Sequence, residues 1–151
     1  MFTLNKKSFL FLLLFSSLVT IVYSEPKISA LTVDLSTDKS IYRTGEPVKI
    51  TLFVDNKSPK DANLLFGSGQ SYDIMITDKK GIDVWHWSRG KVFSMAVRNV
   101  KIAARQNLKY TITWKQIDNN SRLVTPGKYF VRGRLMSALQ LDSPPRTIII
   151  K

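Results

Sequence analysis

The chain has 151 residues, a formal net charge of +12, one histidine and no cysteine. This composition excludes a disulfide scaffold and zinc sites of ordinary composition, since those need several thiols or imidazoles. The positive charge favours anionic polymers, anionic lipid head groups or acidic protein patches as partners, but no block of Lys and Arg indicates specific nucleic-acid binding.

The N-terminal segment has the pattern of a secretory signal peptide. A basic start precedes a mostly apolar run over residues 9–22, and the residues before position 25 suit a signal peptidase. We therefore predict a signal peptide over residues 1–24, cleavage after Ser24, and a secreted or cell-envelope protein. The alternative is an uncleaved N-terminal anchor, although the apolar run is shorter than the roughly 20 residues of a membrane-spanning helix.

The rest of the chain alternates between apolar and polar residues in a series of short segments. A two-residue period indicates strands with one buried and one solvent-facing side, as in antiparallel sheets. The longer predicted strands cover residues 31–36, 48–55, 72–77, 108–115 and 128–135. Shorter candidates cover residues 63–66, 82–87, 100–103 and 146–151. Since no helical stripe follows the N-terminal segment, we predict an all-β protein. Its expected form is a single immunoglobulin-like antiparallel β-sandwich domain over residues 25–151, with a small barrel as the alternative.

Turn residues support the sandwich. Thr125, Pro126 and Gly127 form a predicted turn that leads into an alternating strand, and Tyr129 lies at the start of that strand. A tyrosine in this position resembles the corner tyrosine of immunoglobulin-like folds, whose hydroxyl binds nearby backbone. Residues 137–145 are predicted to be an exposed loop, because two consecutive prolines exclude a helix or a central strand.

The sequence offers little for catalysis. A hydrolase needs a nucleophile, a base and a group that orients the base, and this chain has only His86 as a histidine. Ser68 lies between two glycines, but the spacing of a Gly-x-Ser-x-Gly nucleophile turn is absent. The acidic residues are scattered, with no Asp-x-Asp cluster for calcium. We predict a non-catalytic protein without a metal site or a cofactor.

The three tryptophans have different expected roles. Trp114 belongs to an alternating apolar face and is predicted to lie in the core. Trp85 and Trp87 share one side of a short strand and either cover the edge of the sandwich or act as contact anchors. The second interpretation follows from the enrichment of tryptophan among interface hot spots.

Four groups of residues are similar, in their order and spacing, to the sequence motifs of a known bacterial family. They are Phe66-x-Ser68-Gly69-Gln70-x-Tyr72-Asp73, Asp78-x-x-Gly81-x-x-Val84-Trp85-x-Trp87-Ser88, Tyr110-x-x-x-Trp114 and Pro126-Gly127-x-Tyr129-x-Val131-x-Gly133. On these motifs the chain resembles the BsuPI-type intracellular proteinase inhibitor domain. The resemblance implies an immunoglobulin-like β-sandwich without a cofactor, and the family's named activity is inhibition of an intracellular serine proteinase. Because an export signal is also predicted, the expected target is an exported serine proteinase, or the domain has another protein-binding role.

Under the first hypothesis, loops at one end of the sandwich enter a proteinase cleft. The nearest candidates are residues 66–71 and 84–91, where glycines permit close approach and tryptophan supplies apolar area. The candidate partner-binding residues are Ser68, Gly69, Gln70, Trp85, His86, Trp87, Ser88 and Arg89.

Under the second hypothesis, the protein is a cell-envelope adhesion or accessory module that binds anionic wall polymer or lipid. Its candidate basic surface uses the polar faces of two long strands. The residues are Lys109, Lys115, Lys128, Arg132 and Arg134. A third possibility is a scaffold role within a larger exported assembly.

Overall fold

The computed structural model describes residues 30–151, and within them it contains ten strands and no helix. The strands are β1 (Leu31–Thr37), β2 (Ile41–Tyr42), β3 (Val48–Asn56), β4 (Ala62–Phe66), β5 (Tyr72–Asp78), β6 (Asp83–His86), β7 (Arg98–Ile102), β8 (Asn107–Trp114), β9 (Gly127–Leu135) and β10 (Arg146–Ile150). The prediction of an all-β protein is confirmed for these residues. The predicted signal peptide over residues 1–24 lies outside them. No helix in residues 30–151 is long and apolar enough to cross a membrane.

The strands form three sheets. Their orders are β1-β3-β8, β2-β10-β9-β5-β6 and β4-β7. Neighbouring strands are antiparallel except for β2 and β10, which are parallel. Since the strands divide into separate sheets, they do not close into the small barrel that we considered as the alternative.

Alternation along the long strands determines which face of each sheet is buried. On β3, Val48, Ile50, Leu52 and Val54 are buried completely. Lys49, between Val48 and Ile50, is exposed. The same period on the five-stranded sheet buries a set of apolar side chains that face the first sheet. They are Ile74, Ile76, Val131, Leu135, Ile148 and Ile150.

Gly133 on β9 shows how closely the two larger sheets approach each other. A Cβ atom at this position would lie 2.2 Å from Cδ1 of Leu52 and 3.2 Å from Cδ1 of Leu35, both on the opposing sheet. Leucine side chains from one sheet therefore fill the space that a side chain on the other would need. This face-to-face contact is consistent with a β-sandwich.

Asn56 connects the small β4–β7 sheet to the end of β3. The asparagine is buried, and its Nδ2 donates hydrogen bonds to the carbonyl oxygens of Lys60, Ile102 and Ala103 at 2.8, 3.1 and 3.1 Å. Leu64 and Phe66 on β4 are also buried, so this sheet contributes apolar area to the same core.

Residues 137–145 form a loop that is mostly exposed, as predicted, but two serines within it are buried. Ser137 and Ser143 are only 2% and 3% exposed. The backbone N–H of Gly133 donates to Oγ of Ser143 at 2.9 Å, and Ser137 forms a bridge to Phe66. The two prolines prevent this segment from pairing as a regular strand. The hydroxyl of Ser143 nevertheless provides a polar partner for a buried backbone amide, and the composition of the segment did not indicate that its serines would be buried.

Candidate functional site

The two predicted contact loops lie together at one end of the sandwich. The backbone N–H of Gly69 donates to the carbonyl of Ser94 at 2.8 Å, which joins the first loop to the chain that follows the second. A Cβ atom at Gly69 would lie 2.7 Å from Oγ of Ser94. Glycine is therefore needed at position 69 for the close approach of two backbones.

Arg98 holds the loop over residues 66–71 in place. Its Nε and Nη2 donate to the carbonyl of Ser68 at 3.2 and 3.1 Å, and Nη2 also donates to the carbonyl of Gly69 and to Oγ of Ser71. The guanidinium lies 5.3 Å from the ring centroid of Phe66. The guanidinium presents its donors on separate nitrogens in a fixed plane, whereas the three donors of an ammonium share one nitrogen, so arginine suits this turn better than lysine.

Trp87 belongs to a row of aromatic rings beneath these loops. Its ring lies 4.3 Å from that of Tyr72 and 5.9 Å from that of Phe93, and Tyr72 in turn lies 4.6 Å from Tyr110. The ammonium of Lys91 lies 4.8 Å above the indole. The row gives the loops a rigid apolar support.

Trp85 packs on the core of the sandwich. It pairs with Ile76 across β5 and β6, and its ring lies 6.3 Å from that of the buried Trp114. Trp114 and Tyr129 are 6.1 Å apart, so Trp85 extends an internal aromatic group. Trp114 lies in the core, as the alternation of β8 predicted.

A nearly buried carboxylate fixes the turn after β6. Asp73 accepts hydrogen bonds from the backbone N–H of Ile74 at 2.8 Å and of Ser88 at 3.0 Å, and from the hydroxyl of Ser88 at 2.6 Å. The Ser88 hydroxyl is thereby committed to a structural bond, and the turn is held against β5.

His86 lies between two carboxylates. Its Nδ1 is 3.7 Å from Asp73 and its Nε2 is 3.4 Å from Asp83. Its backbone N–H donates to Oδ1 of Asn119 at 3.0 Å, and the N–H of Asn119 donates to the carbonyl of Val84. The loop around Asn119 thus covers the free edge of β6, which would otherwise be open to pairing with another chain. In the described part of the chain, no group of three or more His, Cys, Asp or Glu side chains could hold a metal ion.

The structure also contains solvent-exposed apolar residues that we did not predict from the sequence. Residues 91–97 form no regular element, and Val92, Met95 and Val97 are 98%, 88% and 67% exposed. A signal for them exists in the sequence, because this largely apolar stretch falls between two strand candidates and lacks the alternation of a strand.

A family model described as "Intracellular proteinase inhibitor", BsuPI, matches residues 35–139. The chain belongs to the BsuPI family. The predicted secreted or cell-envelope location is wrong, because the family that matches is described as intracellular. The pattern that led to it lies in residues outside those that the structure describes.

Solved structures that match the chain do so at low sequence identity. The C-terminal domain of wzt has a TM-score of 0.50 and 8% identity over 81% of this chain and 74% of that one. Spo0M, a sporulation control protein from Bacillus subtilis, has a TM-score of 0.49 and 14% identity over 82% of this chain and 50% of that one. The alkylpurine DNA glycosylase AlkC from Pseudomonas fluorescens has a TM-score of 0.49 and 12% identity over 81% of this chain, which spans 30% of that one. No curated protein sequence matches the chain.

The five predicted basic residues of this BsuPI chain do not lie on one surface. Lys109 is on β8 and Lys115 follows it, in the three-stranded sheet, whereas Lys128, Arg132 and Arg134 are on β9 of the five-stranded sheet. The two sheets share their inner faces, so the polar faces of β8 and β9 point in opposite directions.

Arg134 is not a free cation, because it is paired with a carboxylate. Its guanidinium donates two hydrogen bonds to the carboxylate of Asp142, at 2.6 and 2.8 Å. This bond holds the pKa of Asp142 below its usual value. A bidentate pair of this kind compensates much of the positive charge at the position.

Proposed function

We propose that this chain is a proteinase inhibitor that acts by binding its target. The observation that supports this proposal is the match of the BsuPI family over residues 35–139, a range that includes both predicted contact loops. The proposed partner is a serine proteinase, as the resemblance of the four motifs implies.

The geometry of the loops supports an inhibitory role. The loop over residues 66–71 is held by Arg98, and the turn at Ser88 is held by Asp73. An inhibitor must occupy a cleft without being rearranged by it, and loops that are ordered before binding lose less conformational entropy in the complex. Two such loops can provide the roughly 800 Å² per partner of a standard inhibitor interface.

We divide the eight candidate partner-binding residues by exposure. Trp85 faces the core and is proposed to support the site, while Arg89 is exposed and is proposed to contact the proteinase. The remaining candidates are partly exposed at the same end of the sandwich and are proposed to form the rim of the contact. They are Ser68, Gly69, Gln70, His86, Trp87 and Ser88.

We also propose that the fold is an immunoglobulin-like sandwich formed by residues 25–151 as one domain. In chain order, β1, β3 and β8 take the places of strands A, B and E, while β5, β6, β9 and β10 take those of C, C′, F and G. The hydroxyl of Tyr129, at the start of the F-like strand, donates to the carbonyl of Thr125 at 2.6 Å, as a corner tyrosine does.

The inhibitory role is tested by titrating serine proteinases with the purified chain. A subtilisin-like, a chymotrypsin-like and a trypsin-like enzyme are each incubated with increasing protein, and the residual hydrolysis of a chromogenic peptide is measured. We expect at least one enzyme to lose activity in proportion to added inhibitor, while a cysteine proteinase used as control is unaffected. Degradation of the chain without loss of activity in any of the serine proteinases would contradict the proposal.

A further inference from the structure

The exposed segment over residues 91–97 has the properties of a chain that enters a cleft. Three of its apolar side chains point into solvent, and the middle one, Met95, is 88% exposed. Exposing large apolar side chains costs free energy in water, and burying them against a partner recovers that free energy. Such a group is therefore a candidate contact for a partner.

The backbone of this segment is available for pairing. Among residues 30–151, the amides of residues 92–96 donate no hydrogen bond, and the carbonyl of Ser94 accepts one from Gly69. A stretch of unpaired donors and acceptors can add as a strand to another protein, with alternate side chains filling the partner's pockets.

The segment is nevertheless held at defined points. The N–H of Lys91 donates to the carbonyl of Ser88 at 3.0 Å, and Phe93 packs against Trp87. Ser94 is bound to Gly69, and Arg98 fixes the loop that carries Gly69. Residue 95 thus directly follows a fixed backbone position, so its backbone is presented with little loss of freedom on binding.

We propose that residues 91–97 enter the active-site cleft of the target proteinase as an extended strand, with Met95 filling the primary specificity pocket. The inference rests on the proposed inhibitory function and names its contact and its class of target. A methionine suits an apolar pocket of the chymotrypsin kind and not the acidic pocket of the trypsin kind.

Lys91 is the residue of this segment that would bind in the acidic pocket of a trypsin-like enzyme. The position of its side chain argues against Lys91 as the pocket residue. Its ammonium lies 4.8 Å above the ring of Trp87, so the cation is turned toward the protein. Met95, in contrast, is almost fully exposed.

The test compares two aspartate substitutions at exposed apolar positions. Met95→Asp places a charge in the proposed pocket residue, and Ile82→Asp changes a residue that is 60% exposed in the turn between β5 and β6. Tyr72 starts β5 near the loops and Asp78 ends it, so Ile82 lies at the opposite end of the sandwich. Both variants should unfold at the same denaturant concentration as the original chain within error, since neither position is buried.

Inhibition constants are measured for the original chain and three variants against a proteinase with an apolar pocket and one with an acidic pocket. We expect Met95→Asp to weaken inhibition of the first enzyme by roughly 30-fold or more, as for an interface hot spot. Ile82→Asp and Lys91→Ala should each change it by less than about threefold. Hydrogen exchange in the complex should slow at residues 92–96.

Each contrary result has a separate meaning. If the original chain inhibits and Met95→Asp inhibits equally well, the role of Met95 is wrong while the inhibitory function stands. If inhibition is confined to the enzyme with an acidic pocket and is lost in Lys91→Ala, the assignment to Met95 is also overturned. If Met95→Asp instead abolishes a dimer seen by gel filtration and leaves inhibition unchanged, the segment pairs with a second copy of the chain. If the original chain inhibits no proteinase, the proposed function fails and this inference fails with it.

Discussion

At the scale of single residues, the space at position 133 is occupied by the side chain of Leu52 from the opposing sheet. We expect Gly133→Ala to lower the free energy of unfolding by about 1–3 kcal/mol, because the added methyl group forces the packed leucines apart. Urea denaturation followed by tryptophan fluorescence measures the change. Gly67→Ala is the matched control, since a Cβ at position 67 meets nothing within 4 Å. Equal losses in both variants would contradict the close approach of the two sheets at Gly133.

Tyr42 gives the molecule a dependence on alkaline pH. Its side chain is almost completely buried, and its hydroxyl donates to Asp38 at 2.7 Å. Burial, followed by the hydrogen bond to Asp38, raises the pKa of Tyr42 to about 12. The folded state therefore favours the neutral phenol, and the resulting stabilisation is complete below pH 10 and is lost as the pH rises from about 10 to about 12.

We expect the difference in free energy of unfolding between the original chain and Tyr42→Phe to shrink across this interval. Urea denaturation of both proteins at pH 9, 10 and 11 measures it, and the absorbance of the phenolate follows the titration. The comparison isolates the contribution of Tyr42, because the variant keeps every other ionisable group. A difference that stays constant or grows with pH would show that the phenol of Tyr42 is not held neutral by the fold.

At the scale of elements, Arg98 connects the start of β7 to the loop before β5. Arg98→Lys keeps the charge but loses the planar set of donors to Ser68, Gly69 and Ser71. We expect a loss of about 1–2 kcal/mol in the free energy of unfolding. Because the loop supports Ser94 through Gly69, proteinase inhibition should weaken by roughly tenfold, which is about 1.4 kcal/mol.

The control for Arg98→Lys is Arg122→Lys. Arg122 is exposed and pairs with Asp118 at the surface, where ion pairs contribute little. Denaturation and inhibition assays should find it close to the original chain. If Arg98→Lys inhibits as well as the original chain and hydrogen exchange at residues 67–71 is unchanged, the loop is ordered without the arginine.

The sequence predicted the longer elements well for a physical reason. Strands such as β3 and β9 have one solvent-facing side and one buried side, and for this reason polar and apolar residues alternate along them. Two residues are too few to show a period, so Ile41–Tyr42 was missed. Residues 91–97 were missed because an irregular exposed segment has no period, and contacts with Ser88, Trp87 and Gly69 define its path.

At the scale of the whole molecule, alternation showed that β8 and β9 each have a polar side but could not show that they belong to different sheets. The assignment depends on pairing with β3 in one case and with β5 and β10 in the other. For this reason the alternation led us to join into one surface five basic residues that belong to two different sheets. These five cations are consequently divided between the two sheets of the sandwich.

The position of β10 has a consequence for the folding of the chain during its synthesis on the ribosome. Among the strands of residues 30–151 this one comes last in sequence order, yet it lies inside the five-stranded sheet, between β2 and β9. Ile148 and Ile150 on it are buried almost completely. Until those residues have been synthesised, β2 has no hydrogen-bonded partner strand and one wall of the interior is missing, so the native five-stranded sheet cannot be completed before β10 is available.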